Sequence, residues 1–239
     1  SIQRRNQKVI EEAPSPILPE NIETLLCGST VRLARGAGYR GVGTAEYMFQ
    51  VESGNASFLE VNSRLQVEHT VTEYLTGCDL VKAQIDIARG LPWRDETAFK
   101  QERGHAIEVR LNAENPEQGF RPSPGLMKMF RPPSGPGIRV DSGVGEGTSI
   151  APEFDSMIAK VIAWGPTRKQ AIARLERALR EFQVVVEDGA TNKAFLLDLL
   201  CRKEFVEATA DTTWLDGAVL EGDFHAQAWE FEALLPAAI

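Results

Sequence analysis

The chain has 239 residues, 43% of them hydrophobic and 25% charged, with a formal net charge of -8. That acidity disfavours a general affinity for nucleic acid, whose phosphates need a basic field, and no apolar run approaches the length of a membrane span. The three cysteines, Cys27, Cys78 and Cys201, are far apart and odd in number, which gives no zinc spacing and disfavours a disulfide framework, so a reducing, cytoplasmic setting is expected.

Ser1 opens like the interior of a strand, and the 239 residues are expected to be a segment of a longer chain. Residues 2–10 mix β-branched with basic and amide side chains and end at the turn-like Ala13-Pro14-Ser15-Pro16. A helix is expected from Pro19 through Ile22, Leu25, Leu26 and Val31, stopping by Gly36 and Gly38, with Gly28 as a point of weakness. Strands over 43–51 and 56–61, separated by Glu52-Ser53-Gly54-Asn55, read as a hairpin. Asp79 is placed to cap a helix over 80–89 with Leu80, Val81, Ile85 and Ala88 as its apolar stripe. Residues 91–103 read as a polar connection.

The second half opens with a strand over 105–111, followed by a Pro/Gly-rich stretch to 152 with short strands at 126–130 and 137–140. An apolar strand over 157–164 comes next. Thr167 with Gln170 predicts a capping box for a helix to Phe182, with Ile172, Leu175, Leu179 and Phe182 at helical spacing. A further helix is expected over 192–201, and the acidic, Ala-rich tail after 216 has no readable structure. Strands and helices without regular βαβ alternation indicate an α+β fold.

The most informative stretch is Glu60-Val-Asn62-Ser-Arg64-Leu-Gln66-Val-Glu68-His69. If the backbone stays extended, positions 60, 62, 64, 66 and 68 share one face, while Val61, Leu65 and Val67 point into a core. A hairpin turn centred on Ser53-Gly54 sets Glu46 across from Glu60 and Val61. Two carboxylates and an amide converging on one spot repel unless a cation lies between them. Such hard oxygen donors suit Mg²⁺ or Mn²⁺ completed by substrate phosphates. Arg64 suits a planar oxyanion such as bicarbonate, and Glu68 is placed to act as a base. A solvated strand face is the bland alternative, but the order acid, amide, cation, amide, acid is unlike the usual solvent-facing choice. Two clusters are weaker signals: Gln3-Arg4-Arg5-Asn6-Gln7-Lys8, and Glu108, Arg110 and Asn112 on one strand face.

Taken together these segments resemble the biotin carboxylases. The matching motifs are Gln3 to Lys8 with Glu11-Glu-Ala-Pro14, Glu60 to His69, Gly104 to Glu114, Pro122-Ser-Pro-Gly125 and Asp155-Ser-Met-Ile158. They run in order from residue 1 to about 216. The resemblance implies the C-terminal lobe of an ATP-grasp domain, an antiparallel sheet with helices, over 1–103. It further implies the biotin carboxylase C-terminal domain over 104–216, with the tail 217–239 unassigned. Glu46, Glu60 and Asn62 would bind the metal ions on ATP, and Lys8, Arg64, Gln66 and the Val67 amide would hold bicarbonate. Glu68 would be the base and Arg110 would stabilise the biotin enolate. Gln3, Asn6, Gln7 and Met48 would lie on the nucleotide side. Implied partners are a biotin carboxyl carrier domain, a carboxyltransferase and a second copy of the chain, for which Arg139 could serve the contact. Ser63, Thr70 and the long turn at 52–55 look closest to the acyl-CoA carboxylases, with pyruvate or urea carboxylase as alternatives.

Asn6 stands where familiar members carry His, and the N-terminal domain and glycine-rich lid of the family are absent from these residues. The segment alone is therefore expected to be inactive. Two rival readings compete with this one. Another ATP-grasp ligase would share the acids but not Arg64-x-Gln66-x-Glu68-His69, and a non-catalytic dimerisation or docking module has no need of mutually repelling acids. His69 and His105 are expected to be structural.

Overall fold

The computed structural model describes residues 1–93, 104–220 and 222. Contacts divide the chain into two units, Ser1–Glu12 with Gly104–Ile239 and Ala13–Arg103, so far as their residues are described. The ribbon at the start is thus grouped with the second half, not with the residues that follow it. The cause is β-pairing across a large sequence separation, which no local pattern announces.

The first unit contains β1 (Ile2–Arg4), β2 (Gln7–Ala13), β5 (His105–Asn112), β9 (Ile138–Ser142) and β11 (Met157–Gly165) in one sheet of order β1-β2-β5-β11-β9. The pairs β1–β2, β5–β11 and β11–β9 are antiparallel. β5 and β11 are central, and almost every residue of both is buried, as expected of strands covered on two faces. A smaller sheet orders β10 (Ser149–Ile150), β8 (Gly125–Arg131) and β12 (Gln183–Glu187), and β6 (Glu114–Asn115) pairs with β7 (Arg121–Pro122). Gly125 is required at its position, because an added Cβ would lie 2.2 Å from the Glu187 carbonyl oxygen.

Helix α4 (Arg168–Glu181) packs on this framework. Thr167 caps it by accepting from the Gln170 N–H at 3.3 Å, and Ala171, Leu175, Ala178 and Leu179 form its buried stripe. Each large apolar side chain so buried contributes about 1.5–3 kcal/mol. α5 (Lys193–Cys201), α6 (Lys203–Val206) and α7 (Trp214–Leu220) add Leu196, Leu199, Leu200, Phe205 and Leu215 to the same core. The boundary expected at 216 therefore cuts through α7. Of the tail, residue 221 and residues 223–239 lie outside the described residues, as do 94–103 of the expected connection.

The second unit holds α1 (Glu20–Gly36), the hairpin of β3 (Thr44–Gln50) and β4 (Asn55–Asn62), α2 (His69–Thr76) and α3 (Leu80–Ala88). α1 is unbroken at Gly28 and follows Pro19, whose extended backbone makes it the cap and not the first helical residue. Asp79 caps α3, its carboxylate accepting from the Lys82 N–H at 2.7 Å. The apolar stripe expected of α3 is not buried within the unit: Val81 and Ile85 are exposed and Ala83 alone among the helix residues is buried. The mixture of helices with antiparallel sheets is the α+β class read from the sequence.

Candidate functional site

The hairpin sets the two acids. Its turn is closed by the Gly54 N–H donating to the Gln50 carbonyl at 2.9 Å, and Gly54 has a φ of 66°, which glycine adopts without strain. From Gln50↔Asn55 the pairing runs regularly to Tyr47↔Phe58, where a bulge shifts it by one residue. Beyond the bulge Glu46 pairs directly with Glu60 and Thr44 with Asn62. Glu60 and Asn62, two apart on one strand, share a face with Glu46.

Side-chain contacts bring these groups to one point. The Asn62 amide Nδ2 donates to Glu46 Oε1 at 3.0 Å and to Glu60 Oε1 at 3.1 Å. Gln66 Nε2 donates to the same Glu46 oxygen at 2.8 Å. Two neutral amides thus donate hydrogen bonds to two carboxylates. Turned over, the Asn62 amide would instead present its oxygen beside the acids, giving a hard donor set of two carboxylates and a carbonyl. Among the described residues no three His, Cys, Asp or Glu side chains form a metal cluster. Two acids with an amide are the protein share that suits a Mg²⁺-type ion completed by phosphate oxygens and water. The residues fit such an ion.

The expected extended face does not run from 60 to 68. β4 ends at Asn62, residues 63–68 form a bend and turn, and α2 begins at His69. Gln66 reaches the acids through this loop and not by strand alternation, and it is buried. Arg64 is exposed, and its Nη1 donates to the Leu65 carbonyl at 3.3 Å. Glu68 sits at the head of α2, where its carbonyl accepts from the Val71 N–H at 3.4 Å. Val67 lies in the turn just before it. His69 is structural, as expected: its Nδ1 lies 2.8 Å from the Gln66 carbonyl oxygen and its Nε2 3.9 Å from Glu73. α2 itself escaped the sequence reading, although Val71, Leu75 and Gly77 gave a spacing and a stop for it. Met48 is exposed on β3.

The remaining assigned residues lie in the first unit. Gln3 and Lys8 are a cross-strand pair of the β1–β2 ribbon. Its two-residue turn is Arg5-Asn6, with φ values of 47° and 65°. Asn tolerates this left-handed region better than most residues, which gives a backbone reason for Asn6 where the family's His was expected. Asp216 of α7 accepts from the Arg5 N–H at 3.0 Å, steadying the turn. Gln7 and Asn6 are exposed.

Arg110 on β5 forms an ion pair with Glu11 of β2, a contact between side chains only 16% and 4% exposed. The neighbouring Glu12 is a second anchor. It accepts from His105 Nε2 at 2.6 Å and from Arg168 Nε at 2.7 Å and Nη2 at 3.0 Å. Burial pushes the Glu12 carboxyl up, but the hydrogen bonds from His105 and Arg168 outweigh it and hold the group below the usual carboxylate range. His105 is therefore a structural partner.

Comparisons with known proteins cover both halves of the chain. Residues 1–95 match a family model described as carbamoyl-phosphate synthase L chain, ATP binding domain, and residues 108–217 match the biotin carboxylase C-terminal domain. Biotin carboxylase 1 of Bacillus subtilis is 48% identical over 220 residues, covering 90% of this chain and 48% of that protein. The biotin-dependent acyl-coenzyme A carboxylase alpha3 subunit of Mycobacterium leprae is 49% identical over 187 residues, covering 77% of this chain and 30% of that protein. The biotin carboxylase domain dimer of Hydrogenobacter thermophilus 2-oxoglutarate carboxylase, solved with MgADP and bicarbonate, is 39% identical, with a TM-score of 0.87 over 91% of this chain and 48% of that one. The chain spans about half the length of the biotin carboxylases it matches.

Proposed function

From the premise that this chain belongs to the biotin carboxylase family, we propose that it supplies the metal, bicarbonate and enolate residues for ATP-dependent carboxylation of carrier-bound biotin. We assign the metal and bicarbonate chemistry to the ATP-grasp lobe within 1–103 and the enolate contribution to the domain within 104–216. The observation that carries the reading is the Asn62 amide held by Glu46 and Glu60 together, with Gln66 on the same Glu46 oxygen.

In this reading Glu46, Glu60 and Asn62 hold Mg²⁺ or Mn²⁺ against the ATP phosphates. The ion, when bound, neutralises the charge of the transferring phosphoryl group. Lys8, Arg64, Gln66 and the Val67 amide bind bicarbonate, and Glu68 takes its proton. The freed oxygen attacks the γ-phosphorus, the bond to ADP breaks, and carboxyphosphate forms. Carboxyphosphate then splits to CO₂ and phosphate. Phosphate accepts the N1′ proton of biotin, and the ureido nitrogen attacks CO₂. Arg110, which keeps its proton under all working conditions, holds the charge that develops on the ureido oxygen. Gln3, Asn6, Gln7 and Met48 lie on the nucleotide side.

We place the final acceptor among acyl-CoA esters and the protein in the cytoplasm, within a dimer that works with a biotin carboxyl carrier domain and a carboxyltransferase. Among the described residues no helix is long and apolar enough to cross a membrane. Activity needs the N-terminal and lid portions that the family carries, so the 239 residues alone should show no micromolar MgATP binding by calorimetry. The decisive test is Glu68→Ala in the complete protein. Bicarbonate-dependent ATP cleavage should fall by about 10²–10⁴-fold while MgATP binding persists. Cleavage at the original rate would remove Glu68 as the base.

A further inference from the structure

We infer that Glu11 is a positioning residue for Arg110, and that Asn192 fixes the backbone from which Arg110 projects. The inference rests on the enolate role given to Arg110 above and extends it to residues outside the proposed reacting set.

Three observations support it. The Glu11 carboxylate touches Arg110 Nη2 while its own side chain is 4% exposed. A carboxylate so buried stays ionised only beside a cation, and a guanidinium held at one edge nitrogen loses the swing of a long side chain. Next, Glu108, the acid two residues before Arg110 on the same strand face, has Lys160 at 3.8 Å, and Lys160 lies 3.8 Å from Asp141 in turn. Lys160 of β11 therefore stands between an acid of β5 and an acid of β9, and the acid next to Arg110 already has a cation beside it. Finally, the backbone under Arg110 is held by a buried side chain. Asn192 Nδ2 donates to the Arg110 carbonyl at 3.0 Å, its Oδ1 accepts from the Asn112 N–H at 2.8 Å, and its own N–H donates to the Asn112 carbonyl at 3.1 Å. These bonds grip the end of β5, where the pairing with β11 shifts between Met157 and Ala159.

Arg110 is thus fixed at both ends. A group that must meet a developing oxyanion gains rate from being held in place before the reaction begins, and a displacement near 1 Å costs about 100-fold. A carboxylate partner weakens the cation's field somewhat, but it removes the larger error of a guanidinium free to turn away.

The test uses the complete protein and two readouts. In steady-state assays with free biotin, Glu11→Ala should lower the turnover of biotin carboxylation by about 100-fold and Glu11→Gln by less, since its amide oxygen can still face Nη2. ATP cleavage in the absence of biotin should change little. Loss of both activities together would show a general structural role and overturn the inference. Arg110→Ala run in parallel separates the two claims. If it leaves biotin carboxylation intact, the enolate role itself fails. If it removes carboxylation while Glu11→Ala does not, only the positioning role fails. The second readout is ¹⁵N NMR of the Arg110 guanidinium in the unaltered protein, where slow rotation is expected. Free rotation there would overturn the inference without reference to any variant.

Discussion

Helices α1 and α4, of 17 and 14 residues, are of similar length and are used in opposite ways. α4 buries Ala171, Leu175, Ala178 and Leu179 against the sheet of its unit, whereas α1 buries none of its residues within its own. The same contrast holds for the strands. β5 and β11 are covered on both faces, while β4 leaves Phe58, Leu59 and Val61 largely exposed. Among the described residues the apolar side chains buried in the second unit are Val71, Leu75, Cys78 and Ala83, none of them on the hairpin. Charge follows a different logic in each. In the first unit, acids are buried and matched to cations, as with Glu11 and Arg110 or Glu12 and Arg168. In the second, Glu46 and Glu60 share the amide of Asn62, and Glu46 also accepts from Gln66.

Several substitutions would break or sharpen that contrast. The largest expected effect is on the framework: Leu175→Ala, at a fully buried position, should destabilise its unit by about 2–5 kcal/mol, read by chemical denaturation. Ile85→Ala, at an exposed position of α3, should stay within about 0.5 kcal/mol. Equal costs at the two sites would erase the distinction. Next is Glu12→Gln, which removes a buried charge from between His105 and Arg168 and should cost about 1–3 kcal/mol at neutral pH. Because the folded Glu12 carboxyl is held below its ordinary range, its contribution is present above the unfolded carboxylate range. It is lost as pH falls through the folded value. Denaturation curves of the two proteins should therefore converge on acidification. A gap that persisted in acid would assign the cost to packing. The smallest effect on folding is expected for Glu60→Gln. Glu60 is exposed, and its loss should move stability by no more than about 0.5 kcal/mol. Mn²⁺-dependent nucleotide binding by the complete protein, followed by electron paramagnetic resonance, should nonetheless weaken clearly. Unchanged binding would remove Glu60 from the metal set.

How far the sequence was readable follows the range of each interaction. The cap at Asp79, the Thr167–Gln170 helix start and the 52–55 turn are local, and each forms where the residues indicate. The pairing of Glu46 with Glu60 was also legible, because turn length fixes register, although a bulge that no residue announces is what delivers it. The strand expected through Glu68 fails because a polar alternation satisfies a bend as well as a strand. The five polar positions do not share one backbone geometry. The association of Glu11 with Arg110, and of Asn192 with both Arg110 and Asn112, spans separations that carry no local pattern. The stripe of α3 misled for another reason: Val81 and Ile85 are apolar at helical spacing yet exposed within their unit.

The Glu12–His105 contact has a consequence for how such a chain can be rearranged. It joins the residue at which the polypeptide leaves the framework to one just after its return, with 2.6 Å between oxygen and nitrogen. Residues 13–103 are in this sense a guest inserted in the sequence between two adjacent strands of its host. Replacing residues 13–103 by a short turn should leave the host's strand order unchanged and able to fold alone, and guests of quite different length could be accepted at the same doorway.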